Sequence, residues 1–391
     1  MDMKKEITLS GLVPKKLSLP GRSPRAPKPA RASKAGVTAP ASIVGLEVGA
    51  TSLKAAQVVN NGGKKLVRIA SSPLANGIVD GGEVRDPSAL ADALRAFFAE
   101  HDLPQRGVRL GLANSRIGVR TIEISGIDDE LQLENAIGFR AHEMLAVPLD
   151  EAVIDYQVLG EEVDEDGAVT RKILLIVAYR DSIDRYLAAT DAAGIQLTGI
   201  DLEAFALLRA VAEPSVDAES EVAVVAVSIG HERTTLAISD GRVCQFCRVL
   251  EWGGAEISSA VARALKITPD EAEGLKRGLS FAGEAQALGD LPVARVAEAL
   301  EAARYELQTF VRELLSSLRF YQAQPGSLAI GEIVLAGGTA EMAGLTEELE
   351  RELGIRVSTA DPLRRVEAGD DVNRLACSGA LTVAVGLGIE D

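Results

Sequence analysis

Apolar positions along the chain predict two similar β-hairpins, each with a polar turn. Residues 222–227 are apolar and mostly β-branched, which is typical of a strand covered on both faces, whereas residues 234–239 alternate between polar and apolar. An earlier hairpin is predicted at residues 42–60, with its turn at 49–52. Both turns offer glycine backbone, free amides and hydroxyl groups that can form a concave anion site. By itself, either pattern is equally consistent with an ordinary hairpin.

The remaining periodicity predicts a mixed α/β chain. Helices are predicted at residues 88–101, 129–144, 182–193, 202–210, 293–324 and 344–353, and strands at 65–71, 109–113, 117–125, 152–159, 172–179, 196–201 and 331–335. In the long helix we expect these residues to form core: Val296, Leu300, Leu307, Val311, Leu314, Leu315 and Leu318. The glycine-rich loop at residues 336–340 follows a strand and leaves room for an adenine or a phosphate, which is weak support on its own.

Composition narrows the classes of function. With 391 residues, 47% of them hydrophobic and 25% charged, the chain is long enough for two to three globular domains with a large core. Aromatic residues make up only 4%, and Trp252 is the single tryptophan, so an aromatic platform for nucleic-acid bases is not expected. The net charge of −16 also argues against a nucleic-acid partner.

The charge is distributed unevenly, and this separates residues 1–40 from the rest. They contain nine Lys or Arg against Asp2 and Glu6, which gives +7 in this tail and −23 elsewhere. Proline, alanine and serine are frequent from residue 14 to 40, so the tail is predicted to be disordered. It could have no partner, approach an anionic membrane surface, or present a short binding motif at residues 4–20. Neither a signal peptide nor a transmembrane helix is predicted.

The three cysteines fit a reducing compartment, because they cannot form a disulfide framework. Cys244 and Cys247 have CxxC spacing within a predicted strand. Residues three apart on a regular strand point to opposite faces, so we expect neither a shared metal nor a redox disulfide here.

Several segments resemble a known family. Two hairpins roughly 180 residues apart resemble the paired phosphate loops of the actin-like ATPases. Residues 139–160, 173–210 and 318–357, which include FRAHEMLAVPLDEAVIDYQVLG and LAGGTAEMAGLTEELERELGIRV, resemble the corresponding segments of the PilM family, FtsA-like cytoplasmic proteins of type IV pilus assembly machines. The resemblance covers nearly all of residues 42–388 and is strongest in 128–200, a subdomain that sugar kinases and Hsp70 chaperones lack at this point.

This resemblance implies the fold class and the domains. The expected fold is α/β, an actin-like ATPase (duplicated ribonuclease H-like) fold with two domains around a nucleotide cleft and an inserted FtsA/PilM-type, SHS2-like subdomain. Residues 41–127 and 201–218 would form domain 1 (1A), residues 128–200 the inserted 1C-type subdomain, and residues 219–391 domain 2 (2A and 2B), with 2B at about 254–324.

The resemblance also implies that ATP or ADP, with Mg²⁺, binds in the cleft. The first loop would supply Gly49, Ala50, Thr51, Ser52 and Lys54, and the second Gly230, His231, Glu232, Arg233, Thr234 and Thr235. Further along, the paired Gly253 and Gly254 would lie near phosphates, and Glu273 and Lys276 near the ribose. The third loop would supply Gly337, Gly338, Thr339, Ala340 and Met342 on the adenine side.

Two positions depart from the family pattern. Actin-like ATPases usually carry Asp at the end of each phosphate-loop strand, and here those positions are Glu47 and Ser228. Glu47 could still hold Mg²⁺ through water, but Ser228 has no charge, so we expect binding with weak or absent hydrolysis. Asp201 and Glu203 are further catalytic candidates that could hold Mg²⁺ through water, and Asp201 could equally cap a helix.

The resemblance implies a cytoplasmic, nucleotide-binding scaffold at the base of a type IV pilus or a related secretion machine, held at the inner face of the plasma membrane through its partners. The resemblance implies a PilN-like membrane protein as partner, whose cytoplasmic N-terminal peptide would lie between domain 1 and the insertion. It also implies contact with the inner-membrane platform of the pilus, and it allows a homo-oligomer. The alternatives are an active ATPase or sugar kinase, and an FtsA-like cell-division protein. The last is less favoured because the sequence ends after a helix that is predicted to be buried rather than in an amphipathic membrane helix.

Overall fold

The computed structural model describes residues 42–390 except 128, 146, 147, 149, 164–167, 213–221 and 242. The predictions for the basic tail at residues 1–40 therefore lie outside the described residues. Within the described residues, no helix combines the length and the apolar character needed to cross a bilayer.

The first half of the chain alternates short strands with amphipathic helices. Its elements are β1 (Ser42–Val48), β2 (Ser52–Val59), β3 (Lys65–Pro73), β4 (Val79–Asp80), β5 (Glu83–Val84), α1 (Pro87–Glu100), β6 (Arg106–Leu112), β7 (Ile117–Ser125), α2 (Glu130–Leu145), β8 (Ala152–Val163), β9 (Val169–Tyr179), α3 (Arg180–Ala193), β10 (Gln196–Leu202) and α4 (Glu203–Val211). The Asp86 carboxylate caps α1 by accepting from the Ser88 and Ala89 amides, so this helix begins where its first amides find an acceptor.

The second half has a longer helix and a glycine-rich turn. Its elements are β11 (Val222–Ile229), β12 (Thr234–Ser239), β13 (Cys244–Leu250), α5 (Gly254–Leu265), α6 (Pro269–Lys276), α7 (Val293–Gln322), β14 (Ala329–Ala336), a 3₁₀ turn (Gly338–Glu341), α8 (Leu345–Leu353), β15 (Arg356–Thr359), β16 (Glu367–Ala368) and α9 (Thr382–Gly388). The predicted core positions of α7 are buried or, for Leu315, packed against the same core.

Two sheets repeat one pattern. The first has the strand order β10-β6-β1-β2-β3-β16, and the second has the order β13-β12-β11-β14-β15. In each, a hairpin (β1 with β2, β11 with β12) is antiparallel, and its first strand also pairs in parallel with a later strand, β6 or β14. Both predicted hairpins are therefore present, and their turns lie at the same end of each sheet.

The helices α4 and α9 pack against each other at the centre of the molecule. A side chain at Gly386 would overlap the Ala206 carbonyl, and one at Gly45 would overlap the Ala384 carbonyl, so both crossings need glycine. Because α4 covers one face of the second sheet and α5 and α7 cover the other, every residue of β12 is buried. The alternating pattern of residues 234–239 thus does not correspond to a solvated face.

A third sheet, with the order β7-β9-β8, lies between β6 and β10 in the chain. Helix α2 packs on one face with a small core of its own, and the other face joins the core of the first sheet. This sheet begins at Ile117, whereas we expected the insertion to start at residue 128.

The cysteine geometry that we expected is wrong. Ser239 pairs with Cys244 and Ile238 with Phe246, so Gln245 is an extra residue in β13, a β-bulge. The bulge turns Cys244 and Cys247 to the same face, where their thiols form a hydrogen bond. This bond, and then burial, raise the pKa of Cys244 well above its usual range. In the described part of the chain no cluster of three metal-ligating side chains is present.

Candidate functional site

A cleft of about 680 Å³ opens where the two hairpin turns face each other. Many of the predicted residues line it: Glu47, Gly49, Ala50, Thr51, Ser52, Lys54, Glu203, Gly230, His231, Glu232, Arg233, Thr235, Glu273, Lys276, Gly338, Thr339 and Met342. They come from loops that are far apart in sequence, and the repeated sheet topology brings these loops together.

The first turn is closed by its own backbone. The Gly49 amide donates to the Ser52 carbonyl at 2.9 Å, so the chain reverses over residues 49–52. A side chain at Gly49 would lie 3.1 Å from the Ser52 carbonyl oxygen, which is tighter than usual packing. The amides and hydroxyls of this turn lie on the cleft wall, where an anion could approach.

Behind this turn, Glu47 and Lys54 are register partners on β1 and β2. The Lys54 Nζ donates to Glu47 Oε1 at 2.7 Å, whereas the buried Glu47 Oε2 has no partner within the described residues. Burial lowers the pKa of the Lys54 ammonium, but the Glu47 carboxylate outweighs this effect and the net shift is upward. A buried acceptor without a partner costs free energy, so Glu47 Oε2 is suited to a bound water or hydrated cation.

Glu203, the first residue of α4, also lies on the cleft floor. Burial, and next the charge of Glu47, raise its pKa to about 7, although Arg233 and Lys54 act in the opposite direction. This carboxyl group can therefore gain or lose a proton near neutral pH.

The second turn is held to the first half of the molecule. The Gly230 amide donates to the Arg233 carbonyl at 2.8 Å and closes the turn. The Gly81 amide donates to Glu232 Oε2 at 2.9 Å, and the Arg233 guanidinium donates to the Ala113 carbonyl. These contacts connect β11–β12 with the β4–β5 turn and with the end of β6.

A polar cluster on α6 forms the next wall. Lys276 Nζ donates to Glu273 Oε2 at 2.7 Å and to the Gly254 carbonyl at 3.0 Å, and Ser258 Oγ donates to Glu273 at 2.6 Å. Burial would raise the pKa of Glu273, but the hydrogen bonds from Lys276 and Ser258 lower it overall. Burial lowers the pKa of Lys276 in spite of this pairing. His231 Nδ1 lies 3.9 Å from Glu273, and burial lowers the pKa of its ring.

The third loop combines close packing with open space. At φ +89°, Gly337 abuts the Ile229 backbone, which a side chain would overlap. In contrast, no atom lies within 4 Å of the position that a Cβ at Gly338 would take. Gly337 therefore allows the backbone of this loop to approach Ile229, and Gly338 leaves space in the cleft.

Six of the predicted residues lie outside the cleft lining: Asp201, Thr234, Gly253, Gly254, Gly337 and Ala340. The Asp201 carboxylate is buried, pairs with Arg209 and accepts from the Leu202 amide, and α4 has no side-chain cap. Thr234 points to the other face of β12 and donates to the Trp252 carbonyl at 2.8 Å. The glycines 253 and 254 pack against His231 and Lys276, so they shape the wall without facing it.

Sequence reasoning missed several lining residues: Ser71, Ser72, Pro73, Ala113, Arg277, Glu341 and Ala380. The first three end β3 and Ala113 follows β6, so their position at strand ends was the available signal. Glu341 Oε1 accepts from the Ala380 amide at 3.1 Å, a contact across long sequence separation that no local pattern reveals.

The family model of the type IV pilus assembly protein PilM matches residues 45–391. The cell division protein FtsA of Escherichia coli K12 is 25% identical over 359 residues, which cover 82% of this chain and 84% of FtsA. FtsA of Bacillus subtilis strain 168 is 23% identical over 314 residues, covering 72% and 70%. The predicted FtsA-like character is thus confirmed, although the family model names PilM.

Solved structures agree on the fold. A PilM–PilN type IV pilus biogenesis complex aligns with a TM-score of 0.73 and 24% identity, covering 88% of this chain and 97% of that one. The ethanolamine utilization protein EutJ from Carboxydothermus hydrogenoformans aligns with a TM-score of 0.52 and 15% identity, covering 89% of each. The predicted actin-like ATPase fold is confirmed. Because the family model spans most of its length, the chain belongs to the PilM family of type IV pilus assembly proteins.

Proposed function

We propose that this protein is a nucleotide-binding scaffold of type IV pilus assembly, which holds the cytoplasmic N-terminal peptide of a PilN-like membrane protein. Family membership supports the assembly role. The observation that carries nucleotide binding is the convergence of three separate loops, at residues 49–52, 230–235 and 337–340, on one cleft. The partner would place the protein at the cytoplasmic face of the inner membrane.

The residues present fit ATP or ADP with Mg²⁺. Backbone amides of the two hairpin turns would meet phosphates, the Glu273–Lys276 pair would meet the ribose, and the open space at Gly338 would admit the base. Glu47 Oε2, which is buried without a partner, would accept from a water of the Mg²⁺ shell. The bound nucleotide would bring the negative charge of its phosphates close to the carboxylates of the cleft.

The partner peptide would lie where the third sheet meets the first domain, beside polar residues of that sheet. Thr121 and Gln157 flank Leu174 in the strand register, and Asp155 pairs with Ile176. Leu174 and Ile176 belong to the core of the first domain, so these polar residues lie on the face towards it. The buried Thr121 hydroxyl has no partner among the described residues, and burial raises the pKa of Asp155. One solved relative is a complex of PilM with PilN, which supports a PilN-like partner for this chain.

Slow hydrolysis is part of the proposal, because Ser228 supplies no charge at the end of β11. The second candidate function is active ATP hydrolysis, and Glu203 favours it, since a carboxyl group with a pKa near 7 is suited to general-base chemistry. Phosphate release at saturating Mg-ATP separates the two, because the scaffold proposal requires turnover that is very slow or absent.

Nucleotide binding is tested by thermal unfolding with Mg-ATP and Mg-ADP. A ligand at 100 times its Kd should add ~2.7 kcal/mol to stability. Gly338→Trp should abolish the shift, because the new ring fills the open space, whereas Gly63→Trp, at an equally open position outside the cleft lining, should keep it. No shift in the natural chain at millimolar nucleotide would overturn nucleotide binding.

The partner role is tested separately, with a synthetic peptide of the cytoplasmic N-terminal segment of a PilN-like protein from the same organism. Asp155→Lys should weaken peptide binding by about 10-fold, because it reverses a half-buried charge on the proposed face. Asp184→Lys, on the exposed side of α3, is the matched control and should bind normally. Equal binding by both variants would contradict this docking face.

A further inference from the structure

Arg233 reaches from the second turn into the other half of the molecule. Its guanidinium donates through Nη1 to the Ala113 carbonyl at the end of β6. Gly82 has a φ of +73°, and a side chain there would overlap both this guanidinium and the Ala113 oxygen. The guanidinium thus occupies a socket that exists only because residue 82 is glycine.

Further contacts hold the socket and the turn together. Glu232, the residue before Arg233, accepts from the Gly81 amide at 2.9 Å. The Tyr186 hydroxyl donates to the Gly82 carbonyl at 3.2 Å and fixes the β4–β5 turn from behind. The β4–β5 turn therefore receives residues 232 and 233. We call these two residues, together with their contacts to the turn, the latch.

The same guanidinium also faces the cleft. Arg233 is on the cleft lining beside Glu203, and its charge lowers the pKa of Glu203 against the effect of burial. Among the hydrogen bonds of the described residues, Arg233 donates only through Nη1. Neither Nε nor Nη2 is among the buried nitrogens that lack a partner. Donors on Nε and Nη2 are consequently accessible to an anion in the cleft.

We propose that Arg233 reads the terminal phosphate of a bound nucleoside triphosphate and transmits its presence to the latch. A phosphate group binds a guanidinium more strongly than a carbonyl does, and the fork geometry allows Arg233 to contact both at once. A triphosphate then holds the guanidinium in its socket, whereas a diphosphate does so less well. This inference rests on the proposed nucleotide binding and adds a mechanism by which the scaffold distinguishes two nucleotide states.

The first test compares the Kd values for ADP and a non-hydrolysable ATP analogue. Arg233→Gln should weaken binding of the analogue about 10-fold or more and change ADP binding less than about 2-fold, because only the terminal phosphate loses a charge-assisted contact. Arg263→Gln, which changes an exposed arginine of α5 outside the cleft lining, is the matched control, and it should leave the ratio of the two Kd values unchanged. An unchanged ratio in Arg233→Gln, with both nucleotides still bound, would overturn the inference and spare the proposed function.

The second test needs no variant. Hydrogen exchange of the peptide containing Gly81 and Gly82 should be slower with the ATP analogue than with ADP, because the Gly81 amide donates to the latch. Equal exchange in the two complexes would refute the latch. If the natural chain binds neither nucleotide, the proposed function and this inference fall together.

Discussion

Glu203 carries a carboxyl group whose ionisation the cleft opposes, and replacing it with glutamine tests that electrostatic environment. Burial, followed by the charge of Glu47, raises the pKa of Glu203 from 4.5 to about 7. Each unit of pKa shift corresponds to about 1.4 kcal/mol, so ionising this group in the folded protein costs ~3 kcal/mol. Glutamine keeps the size and polarity of the side chain but carries no charge.

The sign follows from proton linkage. Between pH 4.5 and 7, the folded protein keeps a proton on Glu203 that the unfolded chain releases, so this group destabilises the fold as the pH rises. The contribution is fully favourable below the unfolded pKa and is lost once the pH exceeds the folded pKa. Glu203→Gln should therefore be more stable than the natural chain by ~3 kcal/mol at pH 8 and by less than ~1 kcal/mol at pH 5.

Urea unfolding of both chains at several values between pH 5 and 8 measures this difference directly. Glu284→Gln, an exposed residue outside the cleft lining, is the matched control and should show little change at any pH. A stability difference for Glu203→Gln that stays constant with pH would refute the reasoning, because a purely steric or packing effect has no such dependence. If Glu203→Gln were instead less stable than the natural chain at pH 8, with the loss disappearing towards acid pH, Lys54 and Arg233 would outweigh burial.

Three further predictions concern turnover, packing and the tail. Ser228→Asp should raise phosphate release by ~10-fold or more, because it restores a charge beside the metal shell. Glu47→Gln should weaken the dependence of phosphate release on Mg²⁺. Brisk release by the natural chain that Glu47→Gln leaves unchanged would contradict both expectations. Gly386→Ala should lower stability by ~3 kcal/mol because its methyl group overlaps Ala206, whereas Gly274→Ala, with open space on α6, should raise it by up to ~1 kcal/mol, as chemical unfolding would show. Deleting residues 1–40 should leave the Tm nearly unchanged, and a fall of several degrees would reveal a docked arm.

The hairpins and the helices could be predicted because their signals are local. Continuous β-branched runs, a capping Asp86 and the helical spacing of Leu300, Leu307 and Leu314 each determine an element without reference to the rest of the chain. The turn at residues 49–52 is equally local, and it lines the cleft. Sequence patterns therefore located the two hairpin turns of the candidate site, whereas the family resemblance implied its other lining residues.

The positions of several predicted residues depend on contacts that no local pattern contains. Asp201 pairs with Arg209, which lies eight positions later on α4, because the chain bends between β10 and the helix. Thr234 is turned away from the cleft by the strand alternation that places Thr235 inside it. The partner of Arg233 is a carbonyl oxygen 120 positions away, and carbonyl groups have no sequence signature.

The central helix pair has a consequence for the order in which the molecule can fold. Helix α9 packs on β1 and α4, Arg109 donates to the carbonyls of Leu387 and Ile389, and β16 completes the first sheet beside β3. During synthesis the first sheet emerges long before these residues, and its central face stays uncovered until they arrive. Because these contacts join residues far apart in the sequence, the amino-terminal half acquires its complete native core only after the carboxy-terminal segment has been made.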